Sequence, residues 1–293
     1  MPYFYLTSTV FLFSFTSIFG KIFTRSNEKY RGSESFYNFF LILSVFAGWC
    51  VLFFTKPSFD ATALIYSVIF GLSFVVTNLG LINALKHGPA TLTALFLNLS
   101  LIVSTVWGFF FWDAVVSTPV IIGLVLVVIA IPLCLFSGNN EGEKSVSLKW
   151  MLYALLVLIG NSGCTISQRT YQMISGGEHG NMMMMCAIGI AVLFYLILFM
   201  RGDRSDVKPL LKHSLWIPVM VGISNVIQNL FVMIMSLPPV SDVLSSSLIY
   251  PVIAVGGLAL VTIVSIFIFK ERMRWWQWVG VVIGAVSVAL LSI

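Results

Sequence analysis

The sequence predicts an all-α integral membrane protein with ten transmembrane helices, arranged as two inverted repeats of five helices. Three observations lead to this prediction: the composition, the spacing of the apolar runs and short motifs shared by the two halves. Of 293 residues, 59% are hydrophobic and only 9% are charged, and the mean hydropathy is +1.00. Soluble domains carry roughly 25% charged residues, so this chain has too few to cover a water-facing surface. Its charges cluster between apolar runs that are long enough to cross a bilayer.

Apolar runs and the polar breaks between them predict ten spans. Proline and glycine mark several breaks, as at His87-Gly88-Pro89, because proline lacks a backbone donor and glycine frees φ. The predicted spans, numbered 1 to 10 in chain order, are residues 2–22, 35–54, 62–85, 90–111, 118–136, 148–168, 181–200, 214–236, 240–268 and 275–292. The longest break is a linker loop at 138–147. It separates a first five-helix repeat, 1–137, from a second, 148–293.

Short motifs recur in the same order in the two halves. Gly71-Leu-Ser-Phe-Val-Val-Thr-Asn78 in predicted span 3 matches Gly222-Ile-Ser-Asn-Val-Ile-Gln-Asn229 in predicted span 8 at Gly, Ser, Val and Asn. In both halves a proline turn and another apolar span follow. Because each unit has an odd number of spans, the second copy inserts upside down relative to the first. Inverted repeats are the ground plan of many secondary transporters, whose substrate site lies at the repeat interface near the midplane.

An acid, a short polar turn and a glycine-bearing span close the second half. The segment is Phe269-Lys-Glu-Arg-Met-Arg-Trp-Trp-Gln-Trp-Val-Gly280, and Asp113 to Gly123 looks like its first-half version. This pattern resembles the EamA-like family of the drug/metabolite transporter superfamily. The resemblance implies a ten-helix bundle that works by alternating access, with predicted spans 1, 3, 4, 6, 8 and 9 around a central cavity. It implies little about the substrate, because relatives carry amino acids, nucleotide sugars, drugs and quaternary amines.

Polar side chains inside the apolar spans are the candidate substrate-binding residues. Amides and charges are costly in hydrocarbon and usually face the bundle interior. Lys21 and Gln168 occupy matching repeat positions, and Asn225 and Asn229 share one face of predicted span 8. The full set is Lys21, Asn78, Asn98, Asn161, Gln168, Asn225, Gln228, Asn229, Ser246 and Tyr250. These groups mainly form hydrogen bonds and carry few charges, which suits a polar or zwitterionic small molecule.

Structural roles compete with substrate binding at several of these positions. The amides can hydrogen-bond neighbouring helices and serve packing alone. Lys21 either snorkels to the interface or faces inward as the partner of a substrate carboxylate. Pro251 marks either a break in predicted span 9, which frees carbonyls to line a cavity, or a simple kink. Asp242 is a candidate for proton coupling, and its alternative role is to cap predicted span 9.

No enzyme motif is present, and the sequence predicts no cofactor. It contains no HExxH motif and no Walker loop, and its four cysteines lie in apolar runs without metal-ligand spacing. No metal site is therefore expected. The expected partners are the lipid bilayer and a small-molecule substrate, with no nucleic acid. Gly280 and Gly284 form a small-xxx-small pair that would seat predicted span 10 on a neighbouring helix or in a homodimer.

The predicted function is secondary transport of a small polar organic metabolite, such as an amino acid or an amine, across a bacterial inner or plasma membrane. The alternative is a non-transporting binding or lipid-handling membrane protein, a scramblase or a sensor. Fourteen of the 16 Lys and Arg residues fall in the odd-numbered connections. The positive-inside rule then places both termini outside the cytoplasm, whereas the family resemblance favours both termini inside.

Overall fold

The computed structural model describes residues 2–111, 117–135, 147–175, 178–235, 246–270 and 274–291. All regular structure in these ranges is helical, so the predicted all-α fold is confirmed for the described part of the chain. The helices are α1 (Pro2–Ser26), α2 (Ser33–Thr55), α3 (Ala61–His87), α4 (Ala90–Phe111), α5 (Thr118–Leu135), α6 (Leu148–Ser175), α7 (Gly180–Arg201), α8 (Val207–His213), α9 (Trp216–Met235), α10 (Ser246–Phe267) and α11 (Trp275–Leu291).

Five of these helices, α1, α2, α3, α6 and α7, are long and apolar enough to cross a membrane. A sixth candidate span is formed by α8 and α9 together, although the chain bends by 61° between them. Shorter apolar stretches lie in α4, α5 and α10. Helices suit this setting because they satisfy their backbone hydrogen bonds within one segment, where no water is available. Within the described ranges, the fold is that of a multi-pass membrane protein with five to six membrane-capable helices.

The structure differs from the sequence prediction at two places in the second half. The polar connection before predicted span 8 contains a helix of its own, α8, whose Leu210 is buried in the core. The expected alternative of a break at Pro251 is wrong, because α10 continues through this residue to Phe267. Neighbouring helices and hydroxyl side chains can compensate the backbone bond that a proline removes. The predicted beginning of span 9 at residue 240 lies outside the described residues.

Helix packing defines two main apolar cores. The first lies among α2, α3 and α7 and includes the fully buried side chains of Trp49 and Phe36. The second lies around α4 and the beginning of α6 and includes Trp150 and Leu95. Helix α3 packs most extensively against α6 and also against α7, whereas α1 packs against α9 and α10. Helix α5 packs mainly against α11, which places this pair at the edge of the bundle.

The glycines that begin the two repeated motifs lie at two tight helix crossings. A Cβ atom at Gly71 in α3 would lie 2.6 Å from the carbonyl oxygen of Ala187 in α7. A Cβ atom at Gly222 in α9 would lie 2.6 Å from the carbonyl oxygen of Leu41 in α2. No side chain fits at such a distance from a backbone atom. Small residues at these positions therefore let the two helix backbones approach closely, as they do in many membrane proteins.

Replacing either glycine with alanine should separate the helices at its crossing. For Gly71→Ala and Gly222→Ala we expect a loss of about 1–3 kcal/mol in stability, the usual cost of overpacking, seen as a lower thermal midpoint in detergent. Gly189→Ala in α7 is the control, because its Cβ would meet a side-chain atom of Phe46 at 3.2 Å, which can shift. Equal midpoints for all three variants and the wild type would contradict the role assigned to the two crossings.

Candidate functional site

Two of the candidate amides connect α4 to its neighbours. The Asn161 side chain in α6 donates to the Leu97 carbonyl at 3.3 Å and to the Ser100 hydroxyl oxygen at 2.7 Å. The buried Asn98 side chain donates to the Ala254 carbonyl of α10 at 3.3 Å. These bonds join α6 and α10 to the same stretch of α4. The structure thus brings Asn98 and Asn161 together at a three-helix junction.

The amides at matching positions of the repeated motif share one local geometry. The Asn78 side chain donates to the Phe74 carbonyl, one turn earlier in α3, at 2.9 Å. The Asn229 side chain donates to the Asn225 carbonyl, one turn earlier in α9, at 2.8 Å, and contacts the Asn225 amide oxygen at 3.2 Å. Each amide N–H is therefore held by its own helix. Asn225 and Asn229, which were predicted only to share one face of the helix, are in direct contact.

Gln168 and Gln228 are half-buried candidates with unused hydrogen-bonding capacity. Neither side chain makes a hydrogen bond with another residue in the described part of the chain, although each amide carries two donors and an acceptor. A half-buried amide with no protein partner is able to bind a polar ligand or water.

Lys21 is buried inside the bundle, with 6% of its surface exposed. Its ammonium group donates to the Leu85 carbonyl at 2.8 Å and to the Gly88 carbonyl. These oxygens lie at the C-terminal end of α3, where the last carbonyls lack partners within the helix. A cation there compensates both the unpaired carbonyls and the negative end of the helix dipole. The ammonium group is thus held between α1 and α3 and does not extend along the outer surface.

Aromatic contacts fix the position of Lys21 relative to the α9 amides. Tyr5 packs edge-on against Phe231 at 5.1 Å between ring centroids, and Phe19 packs edge-on against Trp216 at 6.1 Å, so α1 and α9 run antiparallel. Lys21 therefore lies at the level where α9 begins. The Asn225–Asn229 pair lies farther along α9, toward the end of the bundle where α1 begins.

Gln168 lies toward the opposite end of the bundle from Lys21. Helices α3 and α6 run antiparallel, as shown by the ring contact of Tyr66 with Tyr171 at 5.8 Å, and Gln168 precedes Tyr171 by one turn. Lys21 instead contacts α3 at Leu85. The two levels are separated by roughly 25 Å of α3, at 1.5 Å per residue. The structure therefore does not bring the two matching side chains into one compact space.

The remaining predicted site residues lie at the beginning of the second-half helix α10 or before it. Asp242 lies outside the described residues. Ser246 and Tyr250 belong to the first turns of α10, but their side chains also lie outside the described part. Their predicted roles stay predictions.

Helix α11 is seated on neighbours within the chain. A Cβ atom at Gly284 would lie 2.7 Å from a methyl carbon of Leu95 in α4. The Ser287 hydroxyl donates to the Gly123 carbonyl of α5 at 2.8 Å. Gly284 therefore has an intramolecular packing role, and a homodimer through this helix stays a prediction.

Several buried polar groups were not selected from the sequence. The amide oxygen of Asn38 in α2 is buried without a hydrogen-bond partner among the described residues. The Ser162 hydroxyl donates to the Ser100 carbonyl at 2.9 Å, and the Tyr195 hydroxyl donates to the Val75 carbonyl at 2.8 Å. Asn38 meets the criterion that selected the other amides, a polar side chain within an apolar run. The hydroxyls give no such signal, because serine and tyrosine are common in spans.

An acid–tyrosine contact joins α3 and α6 at the end of the bundle near Gln168. Asp60 precedes α3, and its carboxylate accepts from the Thr62 backbone N–H at 3.0 Å and from the Tyr171 hydroxyl at 2.8 Å. The bond from Tyr171, followed by the bond from the Thr62 N–H, lowers the pKa of Asp60 below its ordinary value of 3.8. The carboxylate therefore caps α3 in its ionised form.

The odd-numbered connections gather at the other end of the bundle. The Arg25 guanidinium lies over the Phe269 ring at 5.0 Å, Lys86 pairs with Glu34, and the Ser214 hydroxyl donates to Asn27 at 2.7 Å. The described basic residues of this surface, called the basic face, are Arg25, Lys29, Arg31, Lys86, Lys149, Arg201, Arg204, Lys208, Lys212, Lys270 and Arg274. The opposite end of the described structure carries Lys56 and Arg169. The charge asymmetry in the sequence is thus an asymmetry between two faces of the fold.

Comparisons with known proteins show a likeness of fold to solved structures and leave the family open. No protein-family model matches the chain, and no curated protein sequence matches it. Chains of solved structures do match, and one of them is described only as "Crystal structure of protein". It is similar over 97% of this chain and 96% of its own, with a TM-score of 0.52 and 11% sequence identity. At this identity the likeness concerns the fold alone, and the EamA-like resemblance stays a prediction.

Loss of the Lys21 ammonium should destabilise the fold by leaving carbonyls at the end of α3 buried and unpaired. We expect Lys21→Met to lower stability by about 1–3 kcal/mol in a chemical or thermal unfolding assay. Lys56→Met, which removes an exposed lysine at the opposite end, is the control and should have little effect. If the two variants unfold alike, the buried hydrogen bonds of Lys21 contribute nothing measurable.

Removal of the Tyr171 hydroxyl should give a pH-dependent loss of stability. Because the pKa of Asp60 is lowered in the folded state, this stabilisation is present above the ordinary carboxyl pKa and is lost as the pH falls through the lowered value. Tyr171→Phe should therefore be less stable than the wild type at pH 7, and the difference should shrink below about pH 4. Tyr66→Phe, which alters the ring beside Tyr171, is the matched control. A constant difference at all pH values would exclude this linkage.

Proposed function

We propose that this chain is a secondary transporter that moves a small polar organic metabolite, such as an amino acid or an amine, by alternating access. In this proposal it has ten spans in two inverted five-helix repeats. Helices α1 to α5 form the first repeat, α6, α7, α9, α10 and α11 form the second, and α8 is an addition to the connection before α9. The observation that carries the proposal is the exchange symmetry of the helix pairs.

When α1 is exchanged with α6, α2 with α7, α3 with α9, α4 with α10 and α5 with α11, most main helix pairs map onto a pair that is also present. The pair α1–α9 becomes α6–α3, α2–α9 becomes α7–α3, and α1–α10 becomes α6–α4. The exchange leaves three further pairs unchanged, namely α2–α7, α4–α10 and α5–α11. The close approaches at Gly71 and Gly222 follow the same exchange, since α3–α7 becomes α9–α2. This correspondence supports a two-fold axis between inverted repeats, as in many transporters.

Some pairs, α1–α3 and α4–α11 among them, depart from this symmetry, and the departure of α1–α3 supports alternating access. At the basic face α1 meets α3, where a Cβ atom at Gly20 would lie 2.7 Å from Leu85 and where Lys21 holds the end of α3. The exchanged pair is α6 and α9 at the opposite end, and it makes no comparable contact in the described part of the chain. Among the described residues, α1 and α3 are thus in close contact at the basic face, whereas α6 and α9 make no comparable contact at the opposite end. Alternating access needs two such states with opposite ends closed.

Counterflow in proteoliposomes tests the transport proposal. Vesicles loaded with an unlabelled amino acid, amine, sugar or nucleoside should accumulate the same labelled solute only when protein and a true substrate are present. A thermal-shift screen would select the solutes, because ligand binding to the native state raises apparent stability. Absence of exchange with every solute, together with lipid flipping, would instead favour the lipid-handling alternative.

The amides should contribute to substrate affinity and little to folding. Gln168→Met and Asn229→Leu keep the side-chain size but remove hydrogen-bonding groups, which costs about 1–3 kcal/mol when a ligand group is left unpaired. We expect normal membrane abundance and at least about tenfold weaker substrate affinity, since 1.4 kcal/mol is a factor of ten. Asn83→Leu is the matched control, because Asn83 also bonds one turn back in α3 but is not a candidate. Unchanged affinity in both test variants would show that these amides serve packing.

A further inference from the structure

An apolar groove opens between α2 and α9. Its volume is about 360 Å³, and the residues that define it are Ala47, Gly48 and Val51 of α2 and Val219, Ile223 and Val226 of α9. The Ser44 hydroxyl at this surface is already donated to the Phe40 carbonyl at 2.7 Å. The groove therefore presents no unpaired hydroxyl and suits an apolar guest.

The α2–α9 groove opens toward the outside of the bundle. Val51 and Ile223 are 66% and 46% exposed, in a chain whose long apolar helices belong in a bilayer. Its α9 side extends from Val219 to Ile227, roughly 12 Å at 1.5 Å per residue. A guest that enters from the lipid would lie along α9 with its apolar part in the groove.

Helix α8 adds positive charge where α9 begins. Lys208 and Lys212 are exposed, and their spacing of four residues puts them on one face of the helix. Leu210, on the other face, is fully buried and holds α8 against the bundle. Leu211 and Trp216 are exposed beside the lysines. Exposed basic, apolar and tryptophan side chains together are typical of a segment at the membrane–water boundary.

The acidic residues that precede α8 are already engaged elsewhere. Asp203 pairs with Arg31 at 3.8 Å, and Asp206 accepts from the backbone N–H of Arg31 at 2.9 Å. Neither Lys208 nor Lys212 lies within ion-pair distance of an acid in the described structure. Their charges are therefore available to an anion from outside the chain, and anionic headgroups are the anions present at a membrane surface.

We propose that α8 and the α2–α9 groove together bind one anionic phospholipid. The acyl chain occupies the groove beside Ile223, and the phosphate of the headgroup interacts with Lys208 and Lys212. This arrangement matches apolar volume to the lipid tail and positive charge to the headgroup. The site lies on the outer side of α9, and it depends on the membrane location of the chain, not on the proposed transport.

Lipid titration of the full chain in a neutral detergent tests this proposal. Phosphatidylglycerol should raise the thermal midpoint and appear as a bound lipid by native mass spectrometry, with phosphatidylcholine at least tenfold weaker. The double variant Lys208→Gln/Lys212→Gln should bind phosphatidylglycerol at least tenfold more weakly than the wild type. Ile223→Trp, at the exposed rim, should block the groove and weaken binding similarly with the lysines intact.

A charge-matched control separates a site from general attraction. Lys29→Gln/Lys149→Gln removes two exposed charges from the same basic face, and we expect its affinity to stay within about twofold of the wild type. The proposal is overturned if this control loses as much affinity as the α8 variant. It is also overturned if Ile223→Trp binds normally, if phosphatidylcholine binds equally well, or if inorganic phosphate alone produces the shift.

Discussion

The rest of the bundle depends on the close contact of α3 with α6 and α7. A Cβ atom at Gly80 would lie 2.8 Å from the Tyr153 carbonyl oxygen, and one at Gly160 would lie 2.6 Å from the Thr77 nitrogen. In a bilayer, lipid tails are as apolar as leucine, so helices associate through close packing and hydrogen bonds and not through exclusion of water. Glycines that bring backbones together are therefore the main way to fix these helices relative to one another.

Both ends of α3 are held by side chains of suitable charge. The Asp60 carboxylate lies at the N-terminus, where a helix dipole is positive, and accepts from Tyr171 of α6. The Lys21 ammonium lies at the C-terminus, where the dipole is negative, and comes from α1. Each contact compensates helix-end groups and also connects α3 to another helix. The central helix is thus fixed along its length by glycine contacts and at its ends by charges.

The sequence predicted the helices better than it predicted their contacts. Long apolar runs are strong signals, and α2, α3 and α7 begin and end within a few residues of the predicted limits. Helix α8 was missed because a short segment with Lys208, Pro209 and Lys212 has the composition of a loop. Leu210, the residue of α8 that is buried in the core, can be identified only from the structure.

The same difference holds for the candidate site, where the polar residue types were predictable from the sequence and their hydrogen-bond partners were not. A lysine or an amide inside an apolar run is visible in the sequence, and Lys21, Asn98 and Asn161 are all largely buried within the fold. Their partners were not predictable, because Lys21 bonds to the end of α3 and Asn161 bonds to Ser100, more than 60 positions away along the chain. The motif comparison gave the matching positions but not the distance between Lys21 and Gln168, which lie near opposite ends of the bundle.

Lys21 in the first half and Gln168 at the matching position of the second make the two halves of the chain chemically unequal. In the proposed cycle, closure at the basic face is stabilised by charged hydrogen bonds from Lys21, which are roughly twice as strong as those of a neutral amide such as Gln168. In that proposed cycle the two conformations would therefore differ in free energy even without a substrate, and the empty carrier would favour the state with its basic face shut. A ligand shifts that balance only by its difference in affinity for the two states. A transported solute would counter this bias only as far as it binds the conformation open at the basic face more tightly than the closed one.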